Sequence, residues 1–432
     1  MPLQLRTADP AFQTAFRALL AMKREVSEDV DQAVRAIIGA VRAGGDTALI
    51  DYSQRFDRVD LAALGIRVSD RELDGAAAAC DADALAALRF AKARIEAYHA
   101  RQMPEDKRWT DDLGVELGWR WTAIESVGLY VPGGSASYPS SVLMNAVPAK
   151  VAGVKRLAMT VPAPDGRILP LVLAAARIAG VDEVYRVGGA QAIAALANGT
   201  ETIAPVAKIV GPGNAYVAAA KRQVFGTVGI DMIAGPSEVL VIADRDANPD
   251  WVAADLLAQA EHDAAAQAIL MTDDAGLAEA VMAAVEAQLK TLPRRDIAAA
   301  SWRDFGAVIV LGALDEAPAL ADRIAAEHLE IVTADPERLA GLISNAGAIF
   351  LGGHTPEAIG DYVGGSNHVL PTARSARFAS GLGVGDFIKR TSLLKCSARS
   401  LEALAPAAIA LGQAEGLHAH ARSVAIRTNR AG

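Results

Sequence analysis

The sequence has little cysteine, no surplus of basic residues and no long hydrophobic run. Two cysteines in 432 residues cannot supply a disulfide framework, which favours a reducing compartment. The net charge of −9 argues against a nucleic-acid binder, because no basic surplus is available to displace phosphate counterions. No stretch approaches the roughly 18 apolar residues of a membrane helix. Charged residues also interrupt the N-terminal segment where a signal peptide would be apolar. These absences predict a soluble, cytoplasmic, acidic protein.

The residues that are abundant predict a folded protein with more than one domain. The hydrophobic share of 52% can bury a large core, and the length predicts two or three folding units. From Ser126 onward, short apolar strands such as 157–161, 239–243 and 267–272 alternate with helices, which indicates βαβ units and mostly parallel sheets. We therefore predict an α/β fold with two Rossmann-like parallel-sheet domains, one inserted in the other. Neither has a complete dinucleotide fingerprint, and a helical N-terminal arm and a helical C-terminal tail flank them.

Changes in this alternation of strands and helices set the predicted domain boundaries. The inserted domain, which would contact a cofactor, spans 129–238. The larger α/β domain comprises 27–128 and 239–381, and it carries most of the candidate catalytic residues. The arm is 1–26 and the tail is 382–432. The tail has little apolar surface of its own, so we predict that it packs on another surface, for which a second subunit is the candidate.

Three segments combine histidine or acidic side chains in ways that suit a metal or proton transfer. Gln259 and His262 are three residues apart and would share one helix face. Glu327 and His328 are adjacent at a helix-to-strand turn, at the edge of a predicted parallel sheet, where such folds bind ligands. Asp361 lies in a glycine-rich loop after a strand. A polar helix end, a histidine favoured by the helix dipole and a turn-forming aspartate explain the same patterns, so both interpretations stay open.

The tail and two glycine turns give weaker signals. Glu415, His418 and His420 place two histidines and a carboxylate in one short tract, which is either a metal-binding tract or an ordinary surface. The glycine turns at 188–189 and 211–213 each follow a strand and open a helix, which suits a phosphate at a helix N-terminus. Neither turn completes G-x-G-x-x-G, so the residues alone do not identify a nucleotide site.

Long runs of the sequence, in order, resemble the histidinol dehydrogenase family. The runs are Val187–Thr200, Val210–Lys221, Ile230–Asp244, Asp255–Asp263, Ala326–Ile331, Asn345–Asp361 and Gly365–Thr372. Agreement over so many specific runs covers most of the chain and does not arise by chance. One departure is Arg374, at a position where the family often has glycine.

The resemblance implies an enzyme that depends on zinc and NAD and oxidises L-histidinol to L-histidine, the last step of histidine biosynthesis. It implies two NAD per histidine, a bound histidinaldehyde, one zinc per subunit, and a homodimer with intertwined tails and composite active sites. The implied zinc ligands are Gln259, His262, Asp361 and His420 of the partner subunit. The implied catalytic bases are His328 for the hydroxyl proton and Glu327 for the water that hydrates the aldehyde. The implied substrate contacts are these six residues with Ser237 and Glu415, and His418 lies nearby; the implied NAD contacts are Tyr130, Gln191 and Asn214.

Two alternatives remain open at this point. The first is a paralogous NAD-dependent dehydrogenase of another small alcohol, such as a sulfonated diol. An anionic substrate would need a basic pocket, whereas Glu327, Asp361 and Glu415 make this one acidic and favour a cationic amine. The second is a non-catalytic oligomer stapled by zinc, in which Glu327 and His328 would be dispensable.

Overall fold

The computed structural model describes residues 1–22, 28–133, 138–233 and 235–429. The ends of the predicted arm (23–26) and of the predicted tail (430–432) therefore lie outside the described residues. Among the described helices, none combines the length and the apolar character that a bilayer crossing needs.

The described elements alternate along most of the chain. The strands are β1 (Leu3–Arg6), β2 (Lys107–Thr110), β3 (Glu116–Ala123), β4 (Ser126–Tyr130), β5 (Arg156–Thr160), β6 (Glu183–Tyr185), β7 (Lys208–Val210), β8 (Gly229–Ile230), β9 (Glu238–Ala243), β10 (Gln267–Thr272), β11 (Ala307–Val310), β12 (His328–Val332), β13 (Ala348–Leu351) and β14 (Ile388–Lys395). The helices are α1 (Phe12–Leu20), α2 (Glu28–Asp57), α3 (Leu61–Leu64), α4 (Asp70–Ala76), α5 (Ala82–Ala100), α6 (Pro139–Val151), α7 (Pro170–Ala179), α8 (Gly189–Asn198), α9 (Ala215–Val224), α10 (Pro249–Ala260), α11 (Ala275–Leu289), α12 (Arg295–Phe305), α13 (Ala317–Ile324), α14 (Pro336–Ala340), α15 (Glu357–Tyr362), α16 (Ala398–Ala414) and α17 (His418–Ala425).

Two parallel sheets share one strand order. The five-stranded sheet runs β6-β5-β4-β7-β8, and the six-stranded sheet runs β1-β11-β10-β9-β12-β13. Apart from β1, each sheet therefore has its third, second, first, fourth and fifth strands in that order. This is the doubly wound arrangement, with switch points between β4 and β7 and between β9 and β12. The predicted α/β fold with two parallel sheets is confirmed.

Both sheets are covered by helices on their two faces. β9 and β10 are buried at every position, and their near-continuous runs of Val, Ile and Leu are typical of parallel strands packed on both sides. Separate apolar clusters lie on the two faces of each sheet. Because the strands are fixed by this packing, polar side chains at the strand ends are held in defined positions.

The N-terminal part of the chain differs from the predicted boundaries in two ways. The arm begins with β1, which pairs with β11 at the edge of the six-stranded sheet. Helices α2, α4 and α5 pack on α6–α9, which belong to the five-stranded sheet. Helical periodicity indicates that one face is buried but does not indicate which sheet buries it, so the pattern could not assign this segment.

The C-terminal tail is less helical than predicted. After a single 3-10 turn at Val384–Phe387, the tail forms the strand β14, which pairs antiparallel with β3 along its whole length in a three-stranded sheet with β2. Most of its residues are exposed, so the sequence lacks the apolar alternation that would have indicated a strand. Helices α16 and α17 then follow and pack on each other.

A short linker connects the last strand of the five-stranded sheet to the six-stranded sheet. Residues 231–237 connect the carboxyl end of β8 to the amino end of β9. A linker of this length spans at most about 3.3–3.6 Å per residue. The carboxyl end of β8 and the amino end of β9 therefore lie at most about 30 Å apart.

Candidate active site

A buried histidine surrounded by carboxylates lies at the amino edge of the six-stranded sheet. His328 is the first residue of β12, and its Nε2 lies 3.6 Å from Asp361 Oδ1. Its Nδ1 lies 3.8 Å from an oxygen of Glu327 and 3.8 Å from an oxygen of Glu357. The side chains of His328, Glu327 and Glu357 are all buried.

The first residue of the neighbouring strand fixes this group. Strand β9 starts at Glu238, whose carbonyl oxygen lies 3.1 Å from His328 Nδ1 and whose N–H donates to Glu327 Oε2 at 2.9 Å. Nδ1 therefore carries a hydrogen, and Nε2 is the nitrogen that can accept a proton. Ser237 directly precedes Glu238, which places it beside the same group.

The Glu327–His328 pair lies at the amino edge of the sheet, whereas the rule used to predict a ligand site there concerns the carboxyl edge. Parallel α/β sheets bind ligands at the carboxyl ends of their strands. Glu327 and His328 stand at the amino end of β12, beside the amino end of β9. The predicted position at a sheet edge is right, but the rule used for it does not apply there.

Burial and the neighbouring charges raise the pKa values of Glu327 and His328. Burial raises the pKa of Glu327 to about 7, although the neighbouring His328 opposes the rise. Burial alone would lower the pKa of His328, but the carboxylates of Glu357, Glu327 and Asp361 raise it well above its ordinary value. The carboxyl of Glu327 therefore exchanges its proton near neutral pH, which suits a general base, whereas the surrounding carboxylates favour the protonated form of His328.

Asp361 and Glu357 lie on a helix and not on the predicted loop. They are four residues apart on α15, so both side chains face His328. Burial raises the pKa of Glu357 to about 8. Burial also acts to raise the pKa of Asp361, but the neighbouring imidazole of His328, 3.6 Å away, outweighs it and lowers that pKa. The sequence interpretation missed Glu357, although its spacing from Asp361 was a signal.

Gln259 and His262 meet beside this cluster, as their spacing predicted. The Gln259 carboxamide suits its neighbours when its nitrogen donates to Glu357 Oε1 at 3.0 Å. Its carbonyl oxygen then faces His262 Nδ1, 3.5 Å away. Burial lowers the pKa of His262, which keeps the imidazole neutral. An amide oxygen and a neutral imidazole are both metal ligands.

The donor set fits a divalent metal. His328, Glu357 and Asp361 place ligand atoms within 4.8 Å of one another among the described residues. His328 Nε2 is buried and has no hydrogen-bond partner among them. Asp361, with Gln259 and His262 beside it, supplies the mixed nitrogen and oxygen donors that zinc accepts.

The tail residues are not part of this cluster within one chain. Glu415 follows α16, while His418 and His420 lie on α17, and all three are exposed. The metal-ligand cluster found among the described residues contains none of them.

The three predicted cofactor contacts lie on the five-stranded sheet. Tyr130 ends β4, and its buried hydroxyl accepts the N–H of Gly189 at 3.1 Å. Gln191 is buried in the first turn of α8, and Asn214 caps α9 after the loop that begins at Gly211. A Cβ on Gly211 would lie 2.1 Å from the carbonyl oxygen of Tyr130, so only glycine fits there. Tyr130 and this loop flank the switch point between β4 and β7, where doubly wound sheets bind dinucleotides.

His368 links the two halves of the site, and the sequence interpretation gave it no role. Its Nδ1 lies 3.0 Å from the carbonyl oxygen of Asp361, and its Nε2 lies 3.3 Å from the hydroxyl of Ser141. Burial lowers its pKa, so the ring is neutral. Ser141 belongs to α6 of the five-stranded sheet, so His368 joins that sheet to the helix that carries Asp361.

The backbone conformation at position 374 explains why the family often has glycine where this chain has Arg374. Arg374 has φ of 65° and ψ of 15°, which is the left-handed region that favours glycine. Ala373 before it also has a positive φ, of 51°. A glycine at position 374 would adopt this turn without strain, while arginine adopts it at some cost in conformational energy.

Comparison with known proteins identifies the family. The family model described as histidinol dehydrogenase matches residues 20–428. The chain belongs to the histidinol dehydrogenase family. It is 67% identical to the histidinol dehydrogenase of Rhodopseudomonas palustris over 100% of both chains. It is 69% identical to that of Brucella suis, over 99% of this chain and 100% of the relative.

A solved member of the histidinol dehydrogenase family has the same fold. The crystal structure of histidinol dehydrogenase from Elizabethkingia anophelis superposes with a TM-score of 0.94 at 37% identity. The match covers 99% of this chain and 98% of that chain. The resemblance inferred from the sequence runs is thereby confirmed, and the chain belongs to a family of oxidoreductases.

Proposed function

We propose that this protein oxidises L-histidinol to L-histidine in two successive steps, using two NAD and one zinc per subunit. The observation that carries the proposal is the buried Glu327–His328 pair among the carboxylates of Glu357 and Asp361. Family membership over the full chain supports the substrate. We also propose a cytoplasmic location, since the low number of cysteines favours a reducing compartment.

His328 would accept the hydroxyl proton in each oxidation. Its Nδ1–H is held by the carbonyl oxygen of Glu238, so its Nε2 is the accepting atom. Cationic groups of a bound substrate, lying beside the carboxylates, would reduce the stabilisation that these carboxylates give to protonated His328. The pKa of His328 would then fall toward neutrality, which is the range in which a general base works best.

Glu327 would activate the water that hydrates the aldehyde between the two oxidations. Burial raises the pKa of this carboxyl to about 7, so it takes up a proton readily near neutral pH. Its Oε2 is fixed by the N–H of Glu238 at 2.9 Å, which leaves the other oxygen to contact water. Two bases with separate fixed positions suit a reaction with two kinds of proton transfer.

The two proposed cofactors have separate places in the structure. Zinc would be held by Gln259, His262, Asp361 and His420 of the partner subunit, and it would orient the nitrogen atoms of the substrate. NAD would accept hydride and would be held by Tyr130, Gln191 and Asn214. The contacts of His368 with Ser141 and with the carbonyl oxygen of Asp361 support this pairing, because they join α6 of the five-stranded sheet to the helix that carries Asp361.

We propose a homodimer with composite sites, which the surface of the tail supports. Leu411 is 63% exposed and Ile426 is 60% exposed on the paired helices α16 and α17. A cavity of about 640 Å³ lies between these helices and is lined in part by His418. Exposed apolar side chains beside a concave surface are typical of a surface that a second subunit covers.

The charge of the site favours histidinol over a sulfonated alcohol. Glu327, Glu357 and Asp361 all lie around His328, and burial of these carboxylates would make an added anion costly. A cationic amine and an imidazole are favoured by the same arrangement.

The test is steady-state turnover with histidinol and NAD, in which both NADH and histidine are measured. We expect two NADH per histidine. A sulfonated diol at the same concentration is the matched control, and we expect no NADH from it. Absence of NADH with histidinol would overturn the proposal, and turnover of the diol alone would favour the paralogous dehydrogenase.

A further inference from the structure

A fully buried ion pair lies under the glycine loop of the five-stranded sheet. Lys221 on α9 pairs with Asp231, the residue that follows β8, and their side chains are only 3% and 1% exposed. The pair has no direct place in the chemistry proposed above. It lies at the carboxyl edge of the sheet, because Asp231 follows one strand and the loop follows its neighbour.

Both members of the pair also bind one residue of the loop. Asp231 Oδ2 accepts the N–H of Gly211 at 2.8 Å. Lys221 Nζ donates to the carbonyl oxygen of Gly211 at 3.0 Å. Gly211 has φ of 115°, a conformation that side chains rarely adopt, and the two bonds hold it there.

Gly211 determines how closely the loop approaches the end of β4. Gly211 lies so close to the carbonyl oxygen of Tyr130 that any Cβ would collide with it. Three residues later, Asn214 caps α9 with its side chain. Fixing Gly211 therefore fixes the spacing between Tyr130 and Asn214, the two sides of the switch point.

A buried ion pair is a weak source of stability, because desolvation offsets most of its attraction. The hydrogen bonds to Gly211 give this pair a use that two apolar residues could not replace. We propose that Lys221 and Asp231 are positioning residues for the dinucleotide, acting through the backbone of Gly211. This inference rests on the proposed use of NAD.

The test separates cofactor binding from substrate binding. Lys221→Met and Asp231→Asn are each compared with the wild type for kcat, for the KM of NAD and of histidinol, and for direct NAD binding by calorimetry. We expect the KM and the Kd for NAD to rise about 10- to 100-fold, because small displacements of a positioned loop have effects of this size. The KM for histidinol should stay unchanged.

A double variant and a control ion pair test whether Lys221 and Asp231 have a purely structural role. Lys221→Met combined with Asp231→Leu leaves no unpaired charge, so Tm should recover relative to Lys221→Met while the NAD affinity stays low. Arg156 and Glu183 form an ion pair at the amino edge of the same sheet. Arg156→Met should lower Tm without changing the KM for NAD.

The outcomes distinguish this inference from the proposed function. If wild-type protein fails to bind or reduce NAD, the proposed function is wrong. If the wild type uses NAD but Asp231→Asn and Lys221→Met only lower Tm, as Arg156→Met does, the pair is structural and the inference is overturned. Asp231→Asn has a single side-chain oxygen for two donors, the Gly211 N–H and the Lys221 ammonium, so it breaks one of these contacts at nearly unchanged volume. It therefore decides between the two outcomes if Lys221→Met does not fold.

Discussion

The two parallel sheets have the same strand order but present their polar residues at opposite edges. In the five-stranded sheet, glycine turns and Tyr130 stand at the carboxyl ends of β4 and β7. In the six-stranded sheet, Glu327 and His328 stand at the amino end of β12, next to β9. The two sheets therefore share their strand order, but the loops at their strand ends carry different residues.

The carboxyl edge of the six-stranded sheet shows why. After β9, Asp244 donates its N–H to the carbonyl oxygen of Val332 at 3.3 Å and accepts the N–H of Ala334 at 2.6 Å. These bonds close the switch point between β9 and β12 without a glycine turn. Strand order therefore locates where two loops diverge, while the residues of those loops decide whether a ligand can enter.

The largest expected effect concerns the amino edge. His328→Asn should slow the first oxidation by about 10²- to 10⁴-fold, which is the usual contribution of a general base. Glu327→Gln should spare the oxidation of histidinol to the aldehyde and should slow the second oxidation, since only the second needs activated water. Single-turnover measurements with histidinol and with histidinaldehyde separate the two steps.

Substitutions at the opposite edge provide the control for this prediction. Asp244→Asn changes a carboxylate at the carboxyl edge of the same sheet and should leave both steps unchanged. If His328→Asn and Glu327→Gln kept full histidine production, the assignment of the site to the amino edge would be wrong.

The second prediction compares two capping asparagines. Asn214 caps α9 and Asn248 caps α10, each through its side-chain oxygen and two backbone N–H groups. Replacing either residue with alanine should destabilise the protein by about 0.5–2 kcal/mol. Only Asn214→Ala should also raise the KM for NAD, by about 10-fold, because that edge of the five-stranded sheet is the proposed cofactor edge. Equal KM values in the two variants would contradict the comparison.

The sequence predicted the elements of both sheets well but not the partners of every element. The buried strands β9 and β10 were predicted because long apolar runs between helices leave few alternatives. The strand β14 was missed because its residues are mostly exposed and do not alternate. The packing of α2 on the five-stranded sheet was missed because contacts across long sequence distances leave no local pattern.

The candidate site was predicted in part. Gln259 and His262 were paired from their helical spacing, and the structure places them together. Glu357 was overlooked, although it lies four residues before Asp361 on α15. No local pattern could show that the first residue of β9 holds Glu327 and His328, since that contact depends on the order of strands in the sheet.

The third prediction tests whether the amino edge of one subunit is completed by the tail of another. His262→Ala and His420→Ala should each be inactive. Mixing the two with subunit exchange should restore about a quarter of wild-type activity, because half of the dimers are mixed and each of these has one intact site. Exchange is verified by mass spectrometry with one isotope-labelled subunit. No recovery after verified exchange would mean that His420 acts in its own chain or not at all.

The last prediction concerns the pH dependence of stability that Glu330 gives to the six-stranded sheet. Glu330 is buried on β12, where its Oε1 accepts the N–H of Glu357 at 2.7 Å. Burial, followed by the nearby charge of Asp255, raises the pKa of Glu330 from 4.5 to about 9. The folded state therefore holds this proton more tightly than the unfolded state. The contribution to stability is complete below pH 4.5 and is lost as pH rises through about 9.

Glu330→Gln should therefore gain stability relative to the wild type as the pH is raised across this range. The amide oxygen can still accept the N–H of Glu357, so the variant removes the titration and keeps the hydrogen bond. The measurement is the free energy of unfolding by denaturant at a series of pH values. Glu337→Gln, at an exposed position on α14, controls for the loss of one charge. Asp255 remains in the variant, and burial raises its pKa as well, so the slope should decrease without vanishing. Parallel curves for wild type and Glu330→Gln would show that the carboxyl does not hold its proton in the folded sheet.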